Sequence, residues 1–102
     1  MDDLLDLIVT RIRKTADPDK IILFGSRSRM EKPDSDYDLL VLKKGVERRR
    51  AIAQQIYREL VDVPVSVDVI VETPERAESY RHTAGFIYAE ALKGKIIYER
   101  KR

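Results

Sequence analysis

Cysteine, tryptophan and asparagine are absent from these 102 residues. Without cysteine there is no disulfide framework and no thiolate metal site. The single histidine, His82, lacks a second His or Cys partner for a metal or an acid–base role, and reads as a surface helix residue. No apolar run approaches the roughly 20 residues that span a bilayer. Met1-Asp2-Asp3 is acidic where a secretory leader needs positive charge. The chain therefore reads as cytoplasmic. An excess of one charge is missing too: 20 Lys and Arg stand against 18 Asp and Glu, a net +2. That gives no strong nucleic-acid signal. Repeats and low-complexity stretches are also lacking. What is present is an ordinary apolar fraction, 43%, enough to build a core. The length fits one domain spanning residues 1–102.

The pattern alternates between helix and strand periods. Leu4, Leu5, Ile8 and Ile12 recur at helical spacing, predicting a helix from Asp2 to Thr15 that stops at Asp17-Pro18-Asp19. Lys20 to Phe24 is a short Ile-rich run, a buried strand. Gly25 to Met30 reads either as a turn or as the entry to a short helix capped by Ser26. Asp36 to Leu42 predicts a second strand. Val46 to Leu60 predicts a second long helix with a seam of Ile52, Ile56 and Leu60. Glu47-Arg48-Arg49-Arg50 falls on its first turns, where arginines oppose the helix dipole. A solvated face or a partner surface both fit that run. Val65 to Val71 is the clearest strand, with valines on one face and Ser66, Asp68 and Ile70 on the other. Thr73-Pro74 opens a further helix, with Thr73 as cap. Thr83 to Leu92 continues helically and Gly94 ends it. Lys95 to Tyr98 is a last strand, followed by a frayed tail from Glu99 to Arg102. Tyr57, Tyr80, Tyr88 and Tyr98 read as core or interface. The order predicts an α/β (α+β) domain, with a small mixed sheet of three to four strands flanked by helices.

The chemistry concentrates between Phe24 and Leu42, with one residue outside it. Asp36 and Asp38 are two apart at the mouth of a strand, so an extended chain points both to one face. Asp68 is a carboxylate inside a β-branched strand, where Asp is disfavoured. It implies either a wet edge strand or a ligand. If the two strands are neighbours, three carboxylates converge. Oxygen donors of that kind suit Mg²⁺ or Mn²⁺ and a substrate phosphate. Gly25 lets backbone approach a phosphate, Ser26 adds a hydroxyl, and Arg27 or Arg29 adds positive charge. Singly, Gly25-Ser26 reads as a turn and Asp36 or Asp38 as a strand entry or an ion-pair partner, whereas Asp68 is the hardest to explain structurally. Asp34, Asp36 and Asp38 imitate the first half of a calcium loop, but Leu39 and Gly45 stand where its Gly and Glu should be. No Gly-Lys-Ser/Thr follows Gly25-Ser26, so it is no Walker A motif.

Gly25-Ser26, Ser35-Asp36-Tyr37-Asp38-Leu39 and Asp68 within Ser66-Val67-Asp68-Val69 together resemble the DNA polymerase β-like nucleotidyltransferase superfamily, in particular its minimal nucleotidyltransferase members. The resemblance implies that fold over the whole chain. It implies that Asp36, Asp38 and Asp68 hold Mg²⁺, two ions as a rule, with Mn²⁺ as an alternative. Asp68 would also help activate the acceptor hydroxyl. Gly25 and Ser26 would hold the triphosphate of an NTP, ATP by analogy, helped by Arg27 and Arg29. The reaction implied is transfer of a nucleoside monophosphate with release of pyrophosphate. Similar domains pair with a HEPN-domain toxin as its antitoxin, and some place AMP on a tyrosine of that partner. The sequence departs from the family at Ser28 and Met30, where a small residue and a glycine are common. Its loop from Gly25 to Asp36 is also about one residue shorter. These departures keep a second expectation open, a binding antitoxin that neutralises a HEPN RNase without catalysis. Apolar residues on the last helices allow a homo- or hetero-oligomer.

Overall fold

The computed structural model describes residues 3–25 and 36–101. Helix α1 spans Asp3–Ala16 and buries Leu5, Ile8, Val9 and Ile12 on one stripe. Asp3 and Asp6 lie in its first turn and Arg13 and Lys14 in its last, each sign matched to the helix dipole. Asp17 ends it in the left-handed region at φ 48°, a conformation that a short polar side chain tolerates. The chain continues through β1 (Lys20–Phe24), β2 (Tyr37–Leu42), α2 (Arg49–Glu59), β3 (Val67–Glu72), α3 (Pro74–Ser79), α4 (Tyr88–Ala91) and β4 (Lys95–Glu99).

Among the described residues the strands form one mixed sheet in the order β3-β2-β1-β4. β1 is antiparallel to both β2 and β4, and β2 is parallel to β3. The β2–β3 crossover runs through α2, as a parallel pair requires. The alternation of side chains divides the core in two. Leu23, Tyr37, Leu39, Val41 and Val69 face α1 and Ile56 of α2. Ile22, Phe24, Leu40 and Leu42 face Ala77 of α3 and Ala91 of α4. Burying each such Ile, Leu or Phe contributes about 1.5–3 kcal/mol. The second face is covered only by short helices, so it opens to solvent at its ends. Among the described residues no helix is long and apolar enough to cross a membrane.

Several boundaries differ from the pattern-based expectation. α2 begins at Arg49 rather than Val46, with Arg48 as its N-cap and no side-chain cap hydrogen bond. β3 begins two residues later than Val65 and extends one beyond Val71 to include Glu72. The helix expected over Thr83 to Leu92 is only α4, Tyr88–Ala91. Gly85 sits at φ 88°, a left-handed conformation that helix cannot continue through. Two residues expected in the frayed tail are tied down. Glu99 ends β4, and the Arg100 guanidinium donates to the Asp17 carbonyl and carboxylate, both at 2.7 Å. The Thr73 cap is as expected: its side chain accepts from the Arg76 amide, with Pro74 at the first helical position.

Candidate active site

The site lies at the N-terminal ends of two parallel neighbours. β2 and β3 pair with Asp38 directly opposite Asp68, roughly 4.8 Å apart along the hydrogen-bonding direction. The same alternation that sends Leu40 and Leu42 inward on this face sends Asp38 to it, and Asp68 stands there beside Ile70. Asp68 is exposed and Asp38 half-buried. The strand that carries Asp68 is an edge strand, which meets one of the two conditions its unusual composition demanded.

Two carboxylates so placed resist ionising together. The Asp38 carboxyl is held above the usual carboxylate range, first by burial and then by the negative charges of Asp68 and Asp36. A hydrogen bond with Asp68 and the charge of Glu90 add smaller contributions in the same direction. Gly25 closes the site from β1, where Phe24 pairs with Asp38. It sits at φ 76°. A Cβ there would collide with the Asp38 carboxylate, 3.3 Å from its carbon. Both the conformation and the space therefore call for glycine. The backbone of the Gly25 turn is thus pressed against one of the two acids.

Asp36 precedes the first residue of β2 and is exposed. Its charge reaches Asp38. Yet among the described residues no three His, Asp or Glu side chains gather as a metal-holding group. Asp38 and Asp68 are brought together, and the charge of Asp36 acts on Asp38. Ser26, Arg27 and Arg29, expected to hold the triphosphate, lie outside the described residues, as do Ser28 and Met30. The donor chemistry still fits a divalent cation. Two carboxylate oxygens face one another, one is already biased toward holding a proton, and a positive ion between them removes that repulsion.

Two acids escaped the sequence reading. Glu90 enters the electrostatics of Asp38 from α4. Glu72 ends β3 with its side chain only 1% exposed. It accepts from the Tyr88 hydroxyl at 2.9 Å and from the Thr73 amide at 2.9 Å. It also pairs with Arg49 and, at 3.3 Å, with Arg76. Burial and this bond push the Tyr88 hydroxyl up to about 12. The signal was available: extending the alternation Asp68, Ile70 by one step puts Glu72 on the same face, under α3 and α4.

A four-stranded mixed sheet with a carboxylate pair on neighbouring strands and a glycine turn against it defines a nucleotidyl-transfer scaffold. The family described as "Nucleotidyltransferase domain" matches residues 5–98, and the chain belongs to that family, which is polymerase β-like. A search of curated proteins gives no match. Among solved structures, one described as "Crystal structure of the toxin-antitoxin with AMP-PNP" superposes with a TM-score of 0.54. It is 20% identical, and the alignment covers 94% of this chain and 73% of that one. At that identity the likeness shows the fold.

Proposed function

We propose that this chain is an Mg²⁺-dependent nucleotidyltransferase that moves AMP from ATP to a hydroxyl of a HEPN-domain toxin and so acts as its antitoxin in the cytoplasm. The observation that carries the reading is the Asp38–Asp68 pair with Gly25 against it. Family membership supports the chemistry. The solved relative, whose description names a toxin–antitoxin and an ATP analogue, supports the context and the nucleotide.

Asp38 and Asp68 would hold the metal, with Asp36 near enough to contribute charge. When bound, Mg²⁺ supplies positive charge to the phosphates and to the oxygens that attack and leave. The chain's own residues do the rest. With no side chain at Gly25, bare main chain lies close beside Asp38, where it can meet a phosphate. Asp68, the more exposed of the pair, faces the side from which an acceptor arrives and takes the proton of its hydroxyl. The acceptor oxygen forms its bond to the α-phosphorus, the bond to the bridging oxygen breaks, and pyrophosphate leaves. Ser26, Arg27 and Arg29 complete the nucleotide pocket in this reading, and residues 1–102 act as one domain.

A second reading keeps the same partner without the chemistry: an antitoxin that neutralises by binding. It is favoured by Ser28 and Met30, which stand where the family commonly has a small residue and a glycine. Mass spectrometry of the protein co-expressed with the product of its neighbouring gene decides between them. Transfer predicts a mass gain of one or more nucleoside monophosphates on that product, lost in Asp38→Asn/Asp68→Asn. A stable complex with no added mass in either case establishes the binding antitoxin.

A further inference from the structure

An open groove of about 800 Å³ runs between the start of α2 and the outer edge of β3. Arg48, Arg49 and Arg50 line one side, with Glu47 at its end; Ile70, Val71 and Tyr88 line another. Ile70 is two residues, roughly 7 Å, along the same face from Asp68, so the groove leads to the carboxylate pair.

Three features of the groove bear on what it could hold. First, the three arginines occupy the N-cap and first turn of α2, with no acid there and no capping side chain. Like charge at the positive end of a helix dipole costs stability. A local rule broken without a local compensation is a mark of function. Glu72 pairs with Arg49, but among the described residues no carboxylate pairs with Arg48 or Arg50, and both are exposed. Second, β3 is an edge strand whose outer side is only partly satisfied. The Tyr37 and Lys43 amides donate to the Ser66 and Glu72 carbonyls, so even-numbered residues bond toward β2 and Val67, Val69 and Val71 bond outward. The Tyr57 hydroxyl accepts from the Val69 amide at 2.8 Å and lies 3.4 Å from its carbonyl. It blocks the edge at that residue, whereas the main chain of Val71 faces the groove with no described group bonded to its outer side. Third, the groove is walled by half-buried Ile70 and by Val71 at the edge of the core rather than by a continuous basic floor.

We infer that this groove docks an acidic, extended segment of a protein partner, laid along the β3 edge with its carboxylates on Arg48 and Arg50 and its main chain bonded to Val71. Resting on the reading of a protein acceptor, this assigns the surface that brings the acceptor to Asp38 and Asp68. A peptide meets all three features at once: carboxylates for the arginines, amides and carbonyls for the strand edge, alternate apolar side chains for the walls. A nucleic-acid strand meets only the first, and the net charge of +2 gives it no wider basic field.

The test uses three fluorescent probes in anisotropy titrations at low salt: an octapeptide of alternating Glu and Val, one of alternating Lys and Val, and octathymidylate. The Glu–Val peptide is expected to bind, and the Lys–Val peptide to fail. Arg48→Glu/Arg50→Glu should weaken the Glu–Val peptide at least about tenfold, while melting no lower than the parent because acids suit a helix start. Arg48→Gln/Arg50→Gln serves as the second variant should the first unfold. Asp38→Asn/Asp68→Asn should bind the peptide unchanged, so docking is read separately from transfer. The Val71 amide signal should shift and gain exchange protection on binding. Octathymidylate binding as tightly as the Glu–Val peptide, peptide binding that survives both arginine variants, or no binding of any probe below about 1 mM overturns the inference.

Discussion

Asp38 shows most directly how one side chain records a purpose. A lone strand-entry aspartate gains nothing from facing another across a ladder, where like charges are destabilising. Its carboxyl is held above the usual range by burial and by Asp68 and Asp36. The sign follows from linkage. A folded value raised above the unfolded one means full relative stability below the ordinary carboxylate range, lost as pH rises through the raised folded value. Without metal, the protein should therefore lose stability as pH rises above the ordinary carboxylate range. Asp38→Asn should flatten the loss and gain about 0.5 kcal/mol at neutral pH, read by thermal melts in chelator from pH 4 to 8, while abolishing transfer. A variant that melts lower than the parent at every pH would mean Asp38 is held by contacts rather than opposed by charge. Gly25 is the complementary case. Gly25→Ala must strain a φ of 76° and displace the Asp38 carboxylate. A loss of about 1–2 kcal/mol in denaturant melts is expected, together with loss of Mg²⁺-dependent nucleotide binding.

At the level of elements, Glu72 decides how the short helices stay in place. α3 and α4 have six and four residues, too few to be stable alone. The buried carboxylate gathers Arg49 of α2, the Thr73 amide, Arg76 of α3 and Tyr88 of α4 at the end of β3. Breaking a buried pair costs about 3–5 kcal/mol when the surviving charge is stranded. Here the arginine side chains are 42% and 52% exposed and can turn to water. The expected cost of Glu72→Ala is therefore nearer 2 kcal/mol, measured by urea denaturation, with Glu72→Gln costing less because it still accepts from Thr73 and Tyr88. Hydrogen exchange should show α3 and α4 loosening first while α1 stays protected. The elements also show what a sequence can and cannot disclose. β1, α1 and the Thr73-Pro74 start were legible because apolar period and capping chemistry are local. So was the convergence of Asp38 and Asp68, once strand period was joined to the guess that their strands are neighbours. Glu72 was missed because its partners come from three other elements. The helix over Thr83–Leu92 was overdrawn because Gly85 in a left-handed turn outweighs the apolar spacing around it. Asp36, expected as the first residue of the second strand, stands one residue before it.

For the molecule as a whole, sheet order separates the working side from the fastening side. The carboxylate pair sits on β2 and β3, while β4 at the opposite edge leads into Arg100. Arg100 binds Asp17 through its side chain, and its amide donates to the Asp19 carbonyl at 2.8 Å, fastening the end of β4 to the turn before β1. Distant sites with no shared partner contribute additively to stability. A ligand that binds only the folded state raises stability by about 2.7 kcal/mol at a hundredfold excess over its dissociation constant. Mg²⁺ with a non-hydrolysable ATP analogue should therefore raise the melting temperature of the parent and fail to raise that of Asp38→Asn/Asp68→Asn. The increment should grow as pH rises through the raised Asp38 value, since binding must displace a proton there. Arg100→Ala should lower the melting temperature yet leave the ligand increment unchanged. An increment that shrinks with Arg100→Ala would show instead that the far edge of the sheet sets the spacing of the two acids.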